Sequence, residues 1–112
     1  MSEALTPEQV FAQMPSYLDP AKAADLDATI QFELTGEGGG SWYVRIADRQ
    51  ATSSAGQAEN PRLTVTAGAG DAIKILTGQM EATAAFMTGK LKVKGDMGLA
   101  IRLQSLFRRP AD

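Results

Sequence analysis

Two stretches of strict alternation on either side of a glycine loop constrain the fold of this chain more than any other feature. In residues 29–35, Ile30, Phe32 and Leu34 alternate with Gln31, Glu33 and Thr35; in residues 41–47, Trp42, Val44 and Ile46 keep a single parity. A period of two sends successive side chains to opposite faces, so each segment reads as a half-buried strand. Gly36-Glu37-Gly38-Gly39-Gly40 must turn between them, and the two strands form a hairpin with a longer loop. A sheet with one apolar face needs a second layer to cover it, and the rest of the chain must supply that layer.

Helical signals stand on both sides of the hairpin. Thr6-Pro7-Glu8-Gln9 reads as a helix start, with Thr6 as the cap, Pro7 at the first helical position and Gln9 closing a capping box. The helix carries Val10, Phe11 and Met14, and Pro15 ends it. Asp19-Pro20 offers a second start, for a short helix over 21–24. After the hairpin, Asp48-Arg49-Gln50 turns into a weaker strand at 51–56, and Glu59-Asn60-Pro61 breaks the chain before a fourth strand at 62–67. The glycines at 68 and 70 change the period. Ala72, Ile73, Ile75 and Leu76 suit a helix over 71–77, with Gly78 in the position of a C-terminal cap. A further helix over 80–87 is stopped by Gly89, a last strand covers 91–94, and an apolar-rich helix covers 97–107. This order predicts an α/β chain of the α+β type, folded as one domain over 1–112.

Composition removes most catalytic chemistry. Among the 112 residues there is no cysteine and no histidine, hence no thiolate or imidazole metal ligand, no cysteine nucleophile and no near-neutral general base. Ser53, Ser54 and Ser105 have nothing to activate them, and only a carboxylate such as Glu33 or Asp96 remains for acid or base work. The glycine loop lacks the lysine of a phosphate cradle and the third glycine of a dinucleotide fingerprint. Asp25 and Asp27 have the opening spacing of a calcium loop but not its glycine or late glutamate. No catalytic residue, metal or cofactor is expected. With no run of about 18 apolar residues and no basic start followed by an apolar stretch, the chain reads as cytoplasmic.

Charge is unevenly spread. Residues 1–90 hold six basic and eleven acidic side chains, and residues 91–112 hold five and two. Lys90, Lys92 and Lys94 alternate with Leu91 and Val93, which puts the lysines on one strand face. That face is either simply solvated or meets anionic lipid headgroups. Nucleic acid is not expected, because the aromatic residues do not interleave with the basic cluster.

The helices carry more apolar surface than one sheet face requires. At 100° per residue, Leu99, Leu103, Leu106 and Phe107 form one stripe of the final helix, while Met97 and Ile101 fall on nearly the opposite side. Ile73, Leu76, Met80, Phe86 and Met87 repeat the surplus upstream. A second apolar face must meet another part of the protein, a ligand or a membrane.

The run Phe86-Met87-Thr88-Gly89-Lys90-Leu91-Lys92-Val93-Lys94-Gly95-Asp96-Met97-Gly98-Leu99-Ala100 resembles, in order and spacing, the signature of the sterol carrier protein 2 family, the sterol-binding domain. Asn60-Pro61-Arg62-Leu63-Thr64-Val65-Thr66, the helix from Asp71, Gly78 and Trp42 extend the resemblance back to about residue 28. It implies a five-stranded, mainly antiparallel sheet covered by helices and enclosing an apolar cavity. There a sterol, fatty acid, fatty acyl-CoA or other lipid is held without catalysis. On that reading the ligand-binding residues are Phe32, Trp42, Ile73, Leu76, Met80, Phe86, Met87, Met97, Ile101 and Leu103. The alternative is an accessory module that docks onto a lipid-modifying enzyme or presents a lipid intermediate to it. The ending Arg108-Arg109-Pro110-Ala111-Asp112 lacks the peroxisomal tripeptide of eukaryotic members, and the expectation is a stand-alone member.

Overall fold

The two alternating segments pair with each other. In a computed structural model, which describes residues 7–36, 38–76, 80 and 82–106, with side chains for all of these but 7, 76, 82, 83 and 103–106, β1 (Ala28–Thr35) and β2 (Gly40–Ala47) are antiparallel. Phe32 lies opposite Trp42, and Ile30 opposite Val44. β3 (Gln50–Ala55) follows through a two-residue turn in which Asp48 and Arg49 have φ of 54° and 64°. Two consecutive left-handed residues give the turn whose twist matches that of paired strands. β4 (Leu63–Gly68) runs parallel to β1, and β5 (Leu91–Gly95) is antiparallel to β4. The order is β3-β2-β1-β4-β5, with one parallel pair in an otherwise antiparallel sheet.

Helices cover one face. α1 (Pro7–Gln13) continues into a 3-10 turn, Met14–Tyr17, and both rest on β3. α2 (Ala69–Leu76) packs on α1, β4 and β1; α3 (Ala82–Met87) packs on β5; α4 (Met97–Leu106) packs on β4 and β5. Beneath them the core contains Phe11, Ile30, Val44, Ile46 and Leu63, all but fully buried.

Residues 21–24 do not form the expected helix. Asp19 does act as a cap, its carboxylate accepting the Ala21 amide at 3.1 Å, and its carbonyl accepts the amides of Lys22 and Ala23. The chain makes one turn and leaves it. Of residues 21–26 only Ala23 and Leu26 are buried, and a single turn fixes too many dihedrals to propagate without packing. The expected caps at Thr6 and Gly78 lie outside the described residues.

The polar parity of β1 has one buried member. Gln31 is 2% exposed on the face away from the helices. The connection from β3 to β4 must cross β2 and β1, and it crosses over Gln31. The side-chain amide donates to the carbonyls of Trp42 and Gly56 at 3.1 and 3.0 Å, and its oxygen accepts the Ala58 amide at 2.7 Å. One side chain thus bonds two backbone groups of the crossing segment, at Gly56 and Ala58, and ties them to a carbonyl of β2.

Candidate functional site

The helical face divides into a packed half and an unfinished half. On the β2–β3 side, Phe11 of α1 is the centre of an aromatic group. Its ring lies 5.0 Å from Phe32 at a 54° tilt and stacks on Trp42 at 5.3 Å and 12°. Gly40, with φ of 154°, lies under the Trp42 ring, where a Cβ would be about 2.9 Å from the indole. The Ser53 hydroxyl donates to the Phe11 carbonyl at 2.6 Å, satisfying an acceptor near the helix end that has no partner within α1. Phe32 and Trp42 are therefore joined to each other through Phe11, a residue the expected ligand set omits. Its spacing with Val10 and Met14 marks it as core from the sequence alone.

On the β4–β5 side the helices bury one face and leave apolar side chains on another. In α4, Leu99 is 3% exposed against the sheet, whereas Met97 is 47% and Ile101 73% exposed. In α3, Ala85 is 1% exposed, whereas Phe86 is 46% and Met87 80% exposed. Ile73 of α2 and Met80, just before α3, are half-buried. The structure thus brings Phe86, Met97 and Ile101 onto helices that share β5 and its neighbour, and sets Met87 outermost. The side chains of Leu76 and Leu103 lie outside the described residues, as do those of Leu106 and Phe107.

A latch at the end of β5 fixes where α4 begins. Asp96 caps the helix, its Oδ1 accepting the Leu99 amide at 3.1 Å, while its Oδ2 receives Arg62 Nη2 at 2.7 Å. The Asp96 amide donates back to the Arg62 carbonyl at 2.9 Å. The Leu99 amide first, and then the Arg62 guanidinium, hold the Asp96 carboxyl below the usual carboxylate range. Gly95, with φ of 118°, is required at this crossing, because a Cβ would run into the Arg62 carbonyl oxygen. Farther along α4, Arg102 donates to the Lys22 carbonyl at 2.9 Å and lies 3.5 Å from Asp25.

These contacts also place the carboxylates that acid or base chemistry would need. Asp96 is engaged as cap and ion pair, and Glu33 accepts the Ser41 hydroxyl at 2.6 Å on the opposite sheet face. Asp27 pairs with Arg45 at 3.1 Å. Among the described residues no cluster of acidic side chains is suited to hold a metal ion, and no helix is long and apolar enough to cross a membrane.

A five-stranded sheet covered on one side by helices, with apolar side chains left outside the core on the last two, defines a domain of the sterol-carrier type. The chain belongs to the SCP-2 sterol transfer family, which it matches over residues 8–108. It is 39% identical over 101 residues to hydroxysteroid dehydrogenase-like protein 2 of Xenopus laevis, covering 89% of this chain and 24% of that protein. The chain thus spans about a quarter of the length of this curated relative. Solved structures agree in fold. The sec-alkylsulfatase Pisa1 from Pseudomonas sp. superposes with a TM-score of 0.83 at 20% identity, covering 96% of this chain and 17% of that one. Palmitated SCP2L2 from Aedes aegypti does so with a TM-score of 0.76 at 21% identity, covering 94% and 96%.

Proposed function

We propose that this chain binds one hydrophobic ligand, a fatty acyl chain or a sterol-sized molecule, on the β4–β5 half of its helical face, without catalysis. The observation that carries the reading is the exposure of Phe86, Met97 and Ile101 on helices whose opposite sides are already buried. Ile73 and Met80 border the same region, and methionine suits it because its flexible thioether adapts to irregular shapes. Burying about 300 Å² of acyl surface at about 25 cal/mol per Å² is worth about 7.5 kcal/mol, on the order of a micromolar dissociation constant. The palmitated Aedes protein shares the fold. Phe32 and Trp42 act at one remove, as the packed wall behind the ligand. A water-insoluble ligand has a membrane as its natural source, so transient contact with an anionic membrane surface belongs to the same reading.

Native mass spectrometry of the freshly purified protein, followed by organic extraction, tests this directly. The expected result is one lipid per chain, or uptake of one from a mixed extract, abolished by Ile101→Asp or Met80→Asp with the fold intact. A chain that stays empty against such an extract overturns it. The accessory reading has one observation of its own in its favour: a domain of this kind makes up only 24% of the Xenopus relative and 17% of the alkylsulfatase chain. On that reading the ligand is presented to a catalytic domain, and the exposed side of α4 is where the domain docks.

A further inference from the structure

Sulfur is unevenly placed in this chain. There is no cysteine, and of the five methionines three, Met80, Met87 and Met97, come from residues 80–97. Met14 belongs to the core and is 3% exposed, and Met1 lies outside the described residues. Met87 is 80% and Met97 47% exposed, while Met80 is half-buried. The thioethers that solvent reaches therefore gather on α3, on α4 and just before α3, in the half of the molecule that carries the proposed ligand face. Met97 is the most open of those within that face. It begins α4, where Gly98 and Ala100 offer little to shelter its sulfur, and Ile101, one turn on, is itself 73% exposed. Leu99, on the other side of the helix, makes the contact with the core, so Met97 is not needed to hold α4 in place.

We propose that Met97 is a site of reversible oxidation by hydroperoxides, and that oxidation there releases the ligand. The proposal rests on the binding reading above and deepens it by giving that face a control. In the reaction a lone pair of the thioether sulfur attacks the terminal oxygen of the hydroperoxide. An S–O bond forms and the O–O bond breaks. The departing hydroxide or alkoxide takes the proton that the transferred oxygen loses, and leaves as water or alcohol. Sulfur is oxidised and the peroxide reduced by two electrons. A flexible apolar side chain becomes a polar sulfoxide, and reductases specific for the two sulfoxide epimers restore it. In water the sulfoxide oxygen is hydrated. Under an acyl chain it has no partner, and a buried polar group without one weakens binding. With no thiol in the chain to intercept the oxidant, the exposed thioethers are its first targets. Occupancy and oxidation oppose each other, since the ligand that covers Met97 also keeps peroxide from it. Met87, outermost on α3, oxidises without regard to ligand and serves as an internal reference.

The test treats the full chain with hydrogen peroxide, with and without saturating palmitate, and maps the added oxygen by peptide mass spectrometry. Met87 should oxidise first in both samples, Met97 next and severalfold more slowly with palmitate, and Met14 last. Uptake of a fluorescent fatty acid by the oxidised protein should fall about tenfold and return after treatment with both reductases. Met97→Leu, which keeps size and apolar character, should take up the fatty acid before peroxide and keep doing so after it. Met87→Leu should behave as the wild type. Melting temperatures before and after oxidation should agree within a degree or two, because Met97 lies outside the core. The proposal is overturned, with the binding reading left intact, by a Met97→Leu protein that loses uptake on oxidation as the wild type does or by an oxidised wild type that still binds. A Met97 that palmitate does not protect, or a loss of uptake that comes with a fall in melting temperature, overturns it too. A chain that takes up no fatty acid before peroxide overturns the binding reading and this proposal with it.

Discussion

At the scale of single residues, Gln31 and Asp96 carry consequences that neither hydropathy nor periodicity signals. Gln31 shares the parity of Glu33 and Thr35 and reads as solvent-facing, because nothing local announces that a connection crosses it. Replacing it by leucine strips the carbonyls of Trp42 and Gly56 and the amide of Ala58 of their partner. Part of the crossing segment can turn to water, so the expected loss is about 1–3 kcal/mol in urea unfolding. Asp96 gives a pH signature. Its folded pKa lies below its unfolded one, so its contribution is fully present above the unfolded value of about 3.9 and is lost as pH falls through the folded value. Wild type should be more stable than Asp96→Asn at neutral pH by a constant margin. That margin should shrink below about pH 4 and vanish in stronger acid. A margin that instead shrinks on going alkaline would assign the effect to another group.

Elements differ in how far the sequence reveals them, and the β2–β3 turn shows why. Asp48 and Arg49 lack the Asn-Gly signature of their turn, yet both are left-handed, at φ of 54° and 64°. The sheet imposes that conformation against local preference. Arg49→Gly should therefore stabilise the protein, by about 0.5 kcal/mol once the freedom glycine adds to the unfolded chain is subtracted. A thermal melt that falls would show that Arg49 contributes a contact outweighing its strain. The hairpin itself was legible because two strong alternations needed only a loop between them. α4 was legible in more detail: its two apolar faces separate into a buried Leu99 and exposed Met97 and Ile101. The short helix at 21–24 was not, because its start signal is genuine but packing gives it nothing to continue on. The aromatic group was half legible. Phe32 and Trp42 share a parity, but their bond to Phe11 spans 21 and 31 positions of sequence and is set by the tertiary docking of α1.

On the scale of the whole molecule, stability and the proposed binding face are separated in space. The β2–β3 half is closed by α1 and the aromatic group, and the latch at Arg62 and Asp96 fixes the start of α4 independently of anything α4 leaves exposed. The face can therefore stay open to a ligand without weakening the core. That separation makes a quantitative prediction. A ligand that binds only the folded chain stabilises it by about 2.7 kcal/mol at a free concentration of 100 times its dissociation constant. For a domain of this size the melting temperature should rise on the order of 10 °C. Ile101→Asp changes a side chain that is 73% exposed, so its ligand-free melting temperature should stay within a degree or two of wild type, while the ligand-induced rise disappears. Phe11→Ala should behave in the opposite way, melting far lower because a buried ring costs about 3–5 kcal/mol to remove, yet keeping most of the rise at temperatures where it is folded. If Ile101→Asp instead melts low without ligand, α4 belongs to the core on both sides and the binding face must be sought elsewhere.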